Sequence, residues 1–224
     1  MNSDTILIGP DSDALASIVF LHGLGADGHD FVPVAEALSL PPALAGRVRF
    51  LFPNAPVRPV SVNGGHAMRA WFDIHGLTLE APVDEAGIDQ AVSRLGALIA
   101  RERALGVPAG RIVLAGFSQG GVVALHAALF HGERLGGVAA LSTWLPLPER
   151  LVALPEGNRS LPVFIGHGEW DDVVPCKAAE RLENRLAASG MANLARCTYP
   201  MAHSVSAQEI DDLGAWMGRC LVAG

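Results

Sequence analysis

Arg111-Ile112-Val113-Leu114-Ala115-Gly116-Phe117-Ser118-Gln119-Gly120-Gly121-Val122-Val123-Ala124-Leu125 decides how this chain is read. An apolar run, Ile112 to Ala115, leads into Gly-x-Ser-x-Gly, and helix-like sequence follows. A serine between a strand and a helix in this setting sits on a sharp, strained turn that lifts its hydroxyl above the sheet. The flanking glycines fit that turn, because side chains there are expected to collide with the adjoining strand and helix. Gly and Ser are common, so the pentapeptide gains weight only if an acid and a histidine follow in that order.

Both follow. Beyond the acidic cluster Glu169, Asp171 and Asp172 only one histidine remains, His203, so the base is assigned by elimination. Leu161-Pro162-Val163-Phe164-Ile165-Gly166-His167-Gly168 reads as a buried strand running into a loop. A triad acid belongs at the carboxyl end of such a strand. Glu169, Asp171 and Asp172 all qualify by position. Neighbouring side chains in an extended loop diverge, so at most one of them meets His203.

The rest of the chain supplies the frame. Ile18 to Leu21, Val48 to Leu51, Ile112 to Ala115, Val138 to Leu141 and Val163 to Ile165 read as strands buried on both faces. Asp30 to Leu40, Asp84 to Leu105, Gly120 to His131, Lys177 to Ser189 and Ser206 to Leu221 read as helices. Ser206-Ala207-Gln208-Glu209 fits a capping box at the start of the last helix. Strands alternating with helices imply an α/β fold with a mostly parallel sheet covered on both faces. Ligands bind at the carboxyl ends of such strands. The segment from Pro53 to Val83 breaks the rhythm and reads as a site wall or a packed surface loop, with a short hairpin.

Bulk properties narrow the function classes. With 224 residues, half of them hydrophobic and 17% charged, one domain with a full core is expected over 1–224. The net charge of −7 and the lack of a basic run argue against nucleic acid. No signal-peptide pattern opens the chain, and no apolar run is long enough to span a bilayer. Cys176, Cys197 and Cys220 form no Cys-x-x-Cys pair and read as free thiols of a cytoplasmic protein. No cofactor or metal is expected. Asp30 beside His29 and Asp27 reads as a helix N-cap rather than a metal ligand.

The chemistry expected is acyl transfer. His203 takes the proton of Ser118 during attack and returns it to the leaving group, while the carboxylate orients the imidazole. The oxyanion needs two backbone donors. The N–H of Gln119, next to the nucleophile, is one, and the N–H of Leu24 in His22-Gly23-Leu24-Gly25, after an early strand, is the other candidate. Activity is expected to rise as the histidine loses its proton, which for a free imidazole happens near ~6.5. Trp71, Trp144 and Trp170 are candidates for lining the substrate pocket, and Leu77, Leu79, Trp144 and Leu145 for an acyl channel. His22 is expected to brace the oxyanion loop and His167 to shape the acid loop.

The chain resembles the phospholipase/carboxylesterase group of α/β-hydrolases, which holds bacterial carboxylesterases and acyl-protein thioesterases. The likeness covers nearly all of it. Leu21-His22-Gly23-Leu24-Gly25, Phe52-Pro53-Asn54-Ala55-Pro56, Trp71-Phe72-Asp73-Ile74, Gly116 to Gly121, Leu141 to Pro146, His167 to Pro175 and His203-Ser204 carry it. Val62-Asn63-Gly64-Gly65 looks more like the bacterial esterases. The resemblance implies Asp171 as the catalytic acid, because the family pattern His-Gly-Asp-x-Asp-x-Val-Val-Pro uses its second Asp. Glu169 replaces the first Asp, and Asp172 stands where Pro is common. The resemblance also implies the Leu24 and Gln119 amides as the oxyanion hole, and relatives often form homodimers. The expected activity is a serine carboxylesterase on short to medium acyl esters. The alternatives are a long-chain acyl-protein thioesterase or lysophospholipase, or a non-catalytic binding scaffold.

Overall fold

The computed structural model describes residues 4–76 and 78–223. Its strands are β1 (Thr5–Ile8), β2 (Ala16–Leu21), β3 (Val48–Pro53), β4 (Val57–Pro59), β5 (Ala67–Arg69), β6 (Ile112–Phe117), β7 (Gly137–Leu141), β8 (Val163–Gly168) and β9 (Leu194–Tyr199). Its α-helices are α1 (Val32–Ala37), α2 (Glu85–Ala104), α3 (Gln119–Leu129), α4 (Lys177–Ala188) and α5 (Ala207–Ala223). Seven strands form one sheet in the order β1-β3-β2-β6-β7-β8-β9, and β4 pairs with β5 in a separate hairpin. Only β1 runs antiparallel within the large sheet. The mostly parallel sheet expected from the alternating pattern is the observed one.

The apolar runs explain the layering. Every residue of β2, β7 and β8 is buried, which requires cover on both faces. One face packs on Ile88 and Leu95 of α2, Val122 and Leu125 of α3, and Leu182 and Leu186 of α4. The other packs on Ala35 of α1 and on Leu213, Trp216 and Met217 of α5. Burial at about 25 cal/mol per Å² of apolar surface makes these two faces the main favourable contribution to folding. Helix α3 is buried along its whole length.

Three sequence expectations change. The helix expected over Asp30 to Leu40 is a 3-10 turn, Gly28–Phe31, followed by the short α1. Chain crossing ends it: Leu38 is extended, and Leu38, Ser39 and Pro41 lie against Gly214 and Gly218 of α5. The N-cap is Asp27, whose carboxylate accepts the His29 N–H at 2.8 Å, and not Asp30. Edge strands β1 and β9 were not expected. β1 is only four residues long, and β9 is no apolar run: Tyr199 is buried, Cys197 half-buried and Thr198 exposed.

Candidate active site

Strand β6 delivers Ser118 at the N-cap of α3 with φ 52° and ψ −118°. A non-glycine residue held there stores strain of about 1–3 kcal/mol, which the surroundings must hold in place. They do so through the Ser118 N–H, which donates to Leu141 O at 2.9 Å, and through Thr143 Oγ1, which donates to Ser118 O at 2.6 Å. The glycines have steric reasons. A Cβ on Gly116 would overlap the Gly120 carbonyl, and one on Gly120 would overlap Leu21 O at the end of β2. Helix α3 is thereby pressed against the strand ends, with its N-terminus at the serine.

The acid comes from the loop after β8. The Asp171 Oδ1 accepts the N–H of Val173 at 3.0 Å and of Val174 at 2.8 Å. Its Oδ2 accepts the His203 Nδ1–H at 2.7 Å. Glu169 and Asp172 face solvent, so among the three carboxylates only Asp171 meets the histidine. The acid and histidine loops are stitched backbone to backbone: Glu169 N–H donates to Tyr199 O and Trp170 N–H to Met201 O. Gly168 permits the approach, since a Cβ there would overlap Met201 O and Ala202 O. The His203 ring packs on Phe117, centroid to centroid 4.6 Å.

The loop after β2 carries Gly23 and Leu24 to the same place. His22 is fully buried; its Nδ1–H donates to Gly23 O at 2.7 Å and its Nε2 accepts the Ala55 N–H at 3.0 Å. Burial pushes this imidazole below its ordinary value, so it braces the loop as a neutral ring. Trp71 Nε1–H donates to His22 O, and the Gly25 N–H donates to Arg69 O of β5. The Gln119 side chain is engaged as well: Oε1 accepts the Trp71 N–H and Nε2 donates to Phe72 O. With that side chain turned away and locked, the residue presents its backbone to the site.

Gly23, Leu24, Ser118, Gln119 and His203 line one cavity of about 640 Å³. Phe31, Val34, Ile74, Leu79, Trp144 and Val173 supply apolar wall. The described residues lining it include the carboxylates Asp30 and Asp73 and neither Lys nor Arg. Of the three tryptophans, Trp144 lies in the wall, Trp71 packs behind the His22 loop, and Trp170 is 66% exposed to solvent. Leu145 is in the core, and Leu77 lies outside the described residues. Sequence reasoning passed over Phe31 and Val34, which reach the cavity only because the chain folds back after β2. Burial raises the Cys176 thiol, which leaves it protonated near neutral pH. No cluster among the described residues offers three metal-ligating side chains, and no described helix is long and apolar enough to cross a membrane.

Known proteins resemble this chain in sequence and fold. The family model described as Phospholipase/Carboxylesterase matches residues 2–221. An acyl-protein thioesterase 1 of Cryptococcus neoformans var. neoformans serotype D is 39% identical over 233 residues, covering 96% of each chain. Among solved structures, Arabidopsis thaliana SOBER1 superposes with a TM-score of 0.86 at 31% identity, over 92% of this chain and 99% of that one. Zea mays acyl-protein thioesterase 2 gives 0.84 at 30% identity, over 97% and 98%. A match this long leaves no large segment of the chain outside the likeness: it belongs to the phospholipase/carboxylesterase family and is a serine hydrolase of the α/β-hydrolase fold.

Proposed function

We propose that the chain is a cytoplasmic carboxylic ester hydrolase working through an acyl-enzyme on Ser118, His203 and Asp171. The observation that carries this reading is the 2.7 Å bond from His203 Nδ1–H to Asp171 Oδ2, with His203 and Ser118 in one cavity. That bond leaves Nε2 of the imidazole free to act as base. Ser118 Oγ attacks the ester carbonyl carbon while its proton passes to His203 Nε2. The new oxyanion is held by the N–H groups of Leu24 and Gln119 at the positive end of α3. The bond to the leaving oxygen then breaks, and His203 gives that oxygen its proton. Water, deprotonated by His203, attacks the acyl-Ser118 carbonyl, and collapse releases the acid and restores Ser118. Losing one oxyanion donor is expected to slow turnover by roughly a hundred- to a thousandfold.

Short to medium acyl esters with neutral leaving groups fit the cavity best. Its carboxylates and its lack of Lys or Arg work against the phosphate of a lysophospholipid. We read residues 1–224 as one domain without a separate lid domain, which leaves the site open to varied substrates. A second reading, hydrolysis of long-chain acyl thioesters, draws on the name of the 39% identical relative and on the mostly apolar cavity wall. It uses the same steps with sulfur as the leaving atom. The test is hydrolysis of p-nitrophenyl esters from acetyl to palmitoyl, with Ser118→Ala alongside. A short-chain optimum lost in the variant supports the carboxylesterase, and a long-chain optimum moves the assignment to the second reading. Turnover equal to that of the variant for every ester rejects both and favours a binding scaffold.

A further inference from the structure

His167 sits near the end of β8 and has no solvent exposure. Burial pushes its imidazole below the ordinary value, so the ring is neutral and carries one proton. That proton is on Nε2, because Nε2 lies 2.8 Å from Val174 O, which can only accept. The same Nε2 lies 3.4 Å from Asp171 Oδ2. Nδ1 is buried and has no hydrogen-bond partner among the described residues. Asp171 Oδ2 therefore stands between two imidazoles: His203 donates to it at 2.7 Å, and His167 Nε2, whose N–H is given to Val174 O, lies 3.4 Å away.

We infer that His167 is a positioning residue of the reaction, whose single N–H pins the Asp171 loop and tempers the pull of Oδ2 on His203. The inference rests on the triad proposed above. The bond to Val174 O ties the Asp171 loop to the end of β8, and the Val173 and Val174 N–H groups of that loop donate to Oδ1. The N–H dipole of His167 beside Oδ2 stabilises the carboxylate charge, which weakens the stabilisation it gives to the imidazolium of His203. The other titratable groups around Asp171 act less directly. Glu169 and Asp172 from its own loop are in solvent, and Cys176, before α4, stays protonated.

His167→Leu fills similar volume and removes the N–H, whereas His167→Gln returns an N–H close to the place of Nε2. In His167→Leu the acidic limb of the pH profile of kcat/KM is expected to move to higher pH by roughly half a unit to one unit. That is about a three- to tenfold loss on the acidic side, beyond any fall in the plateau. His167→Gln is expected to restore the limb. If His167→Leu does not fold, His167→Asn, whose shorter amide falls short of Val174 O, replaces it with the same expectation. An unmoved limb, or one moved to lower pH, overturns the inference whatever the plateau does. Ser118→Ala in the same assay separates the two levels: full activity there sinks the triad itself, while an inactive Ser118→Ala with an unmoved limb sinks only the role of His167.

Discussion

Asp171 and Glu209 are buried carboxyl groups near β8, and the protein treats them in opposite ways. Asp171 follows β8 and is met by three donors, from Val173, Val174 and His203. Glu209, in the first turn of α5, is fully buried with both oxygens lacking a partner among the described residues. It fills the space above Gly166, where a Cβ would overlap its Oε1. Burial pushes Glu209 up to about 8, so at neutral pH it is a protonated packing group. The difference teaches that charge in this interior follows donors rather than residue type: a carboxylate with aimed N–H groups is kept for chemistry, and one without them keeps its proton.

The largest effect should come from removing the charge at Asp171. Asp171→Asn keeps the shape but misdirects the His203 tautomer, and kcat should fall by about 10⁴. Glu209→Gln should leave kcat within about twofold, because its neutral form is already the native one. Assaying both variants on one ester checks the contrast directly, and a comparable loss in both would erase it.

Stability gives the next effect. A carboxyl raised from 4.5 to about 8 contributes stability that is complete below pH 4.5 and is lost as pH rises towards 8. Between those limits the loss is on the order of 3–5 kcal/mol. Glu209→Gln should flatten this slope in denaturant unfolding measured from pH 5 to 8, and an unchanged slope would show that Glu209 is charged in the fold. His126 supplies the opposite limb. It is buried on α3, its Nε2–H donates to Pro146 O at 3.1 Å, and burial lowers it to about 4. Its contribution is present above pH 6.5 and is lost as pH falls towards 4. His126→Gln should therefore lessen the acid-side loss by a smaller amount, read in the same unfolding series.

How far the sequence reveals such environments depends on what makes them. Ser118 was legible because strand, elbow and helix are contiguous, and His203 because no other histidine remained. The mostly parallel sheet followed from runs such as Val138 to Leu141, which only a two-faced burial accounts for. Which carboxylate meets His203 was not legible from spacing, since it depends on which one turns towards a loop 32 positions along the chain. Glu209 read as half of a capping box. The Ser206 half forms, with the Glu209 N–H donating to Ser206 Oγ at 3.2 Å, but the carboxyl turns into the sheet. That turn is set by Gly166, a residue from another strand, which no local pattern contains. Edge strand β9 escaped for a related reason, as a half-exposed strand interrupted by Arg196 and Thr198 lacks the apolar run that marks the central ones.

Labelling with a fluorophosphonate, followed by peptide mapping, tests the triad most directly. The reagent phosphonylates a serine only where a base activates it and an oxyanion hole receives the product. One phosphonyl group per chain, on the peptide that carries Ser118 and strongly slowed in Asp171→Asn but not in Glu209→Gln, is the expected result. Label on another residue, or no label on a folded protein that still hydrolyses esters, would contradict Ser118 as the nucleophile.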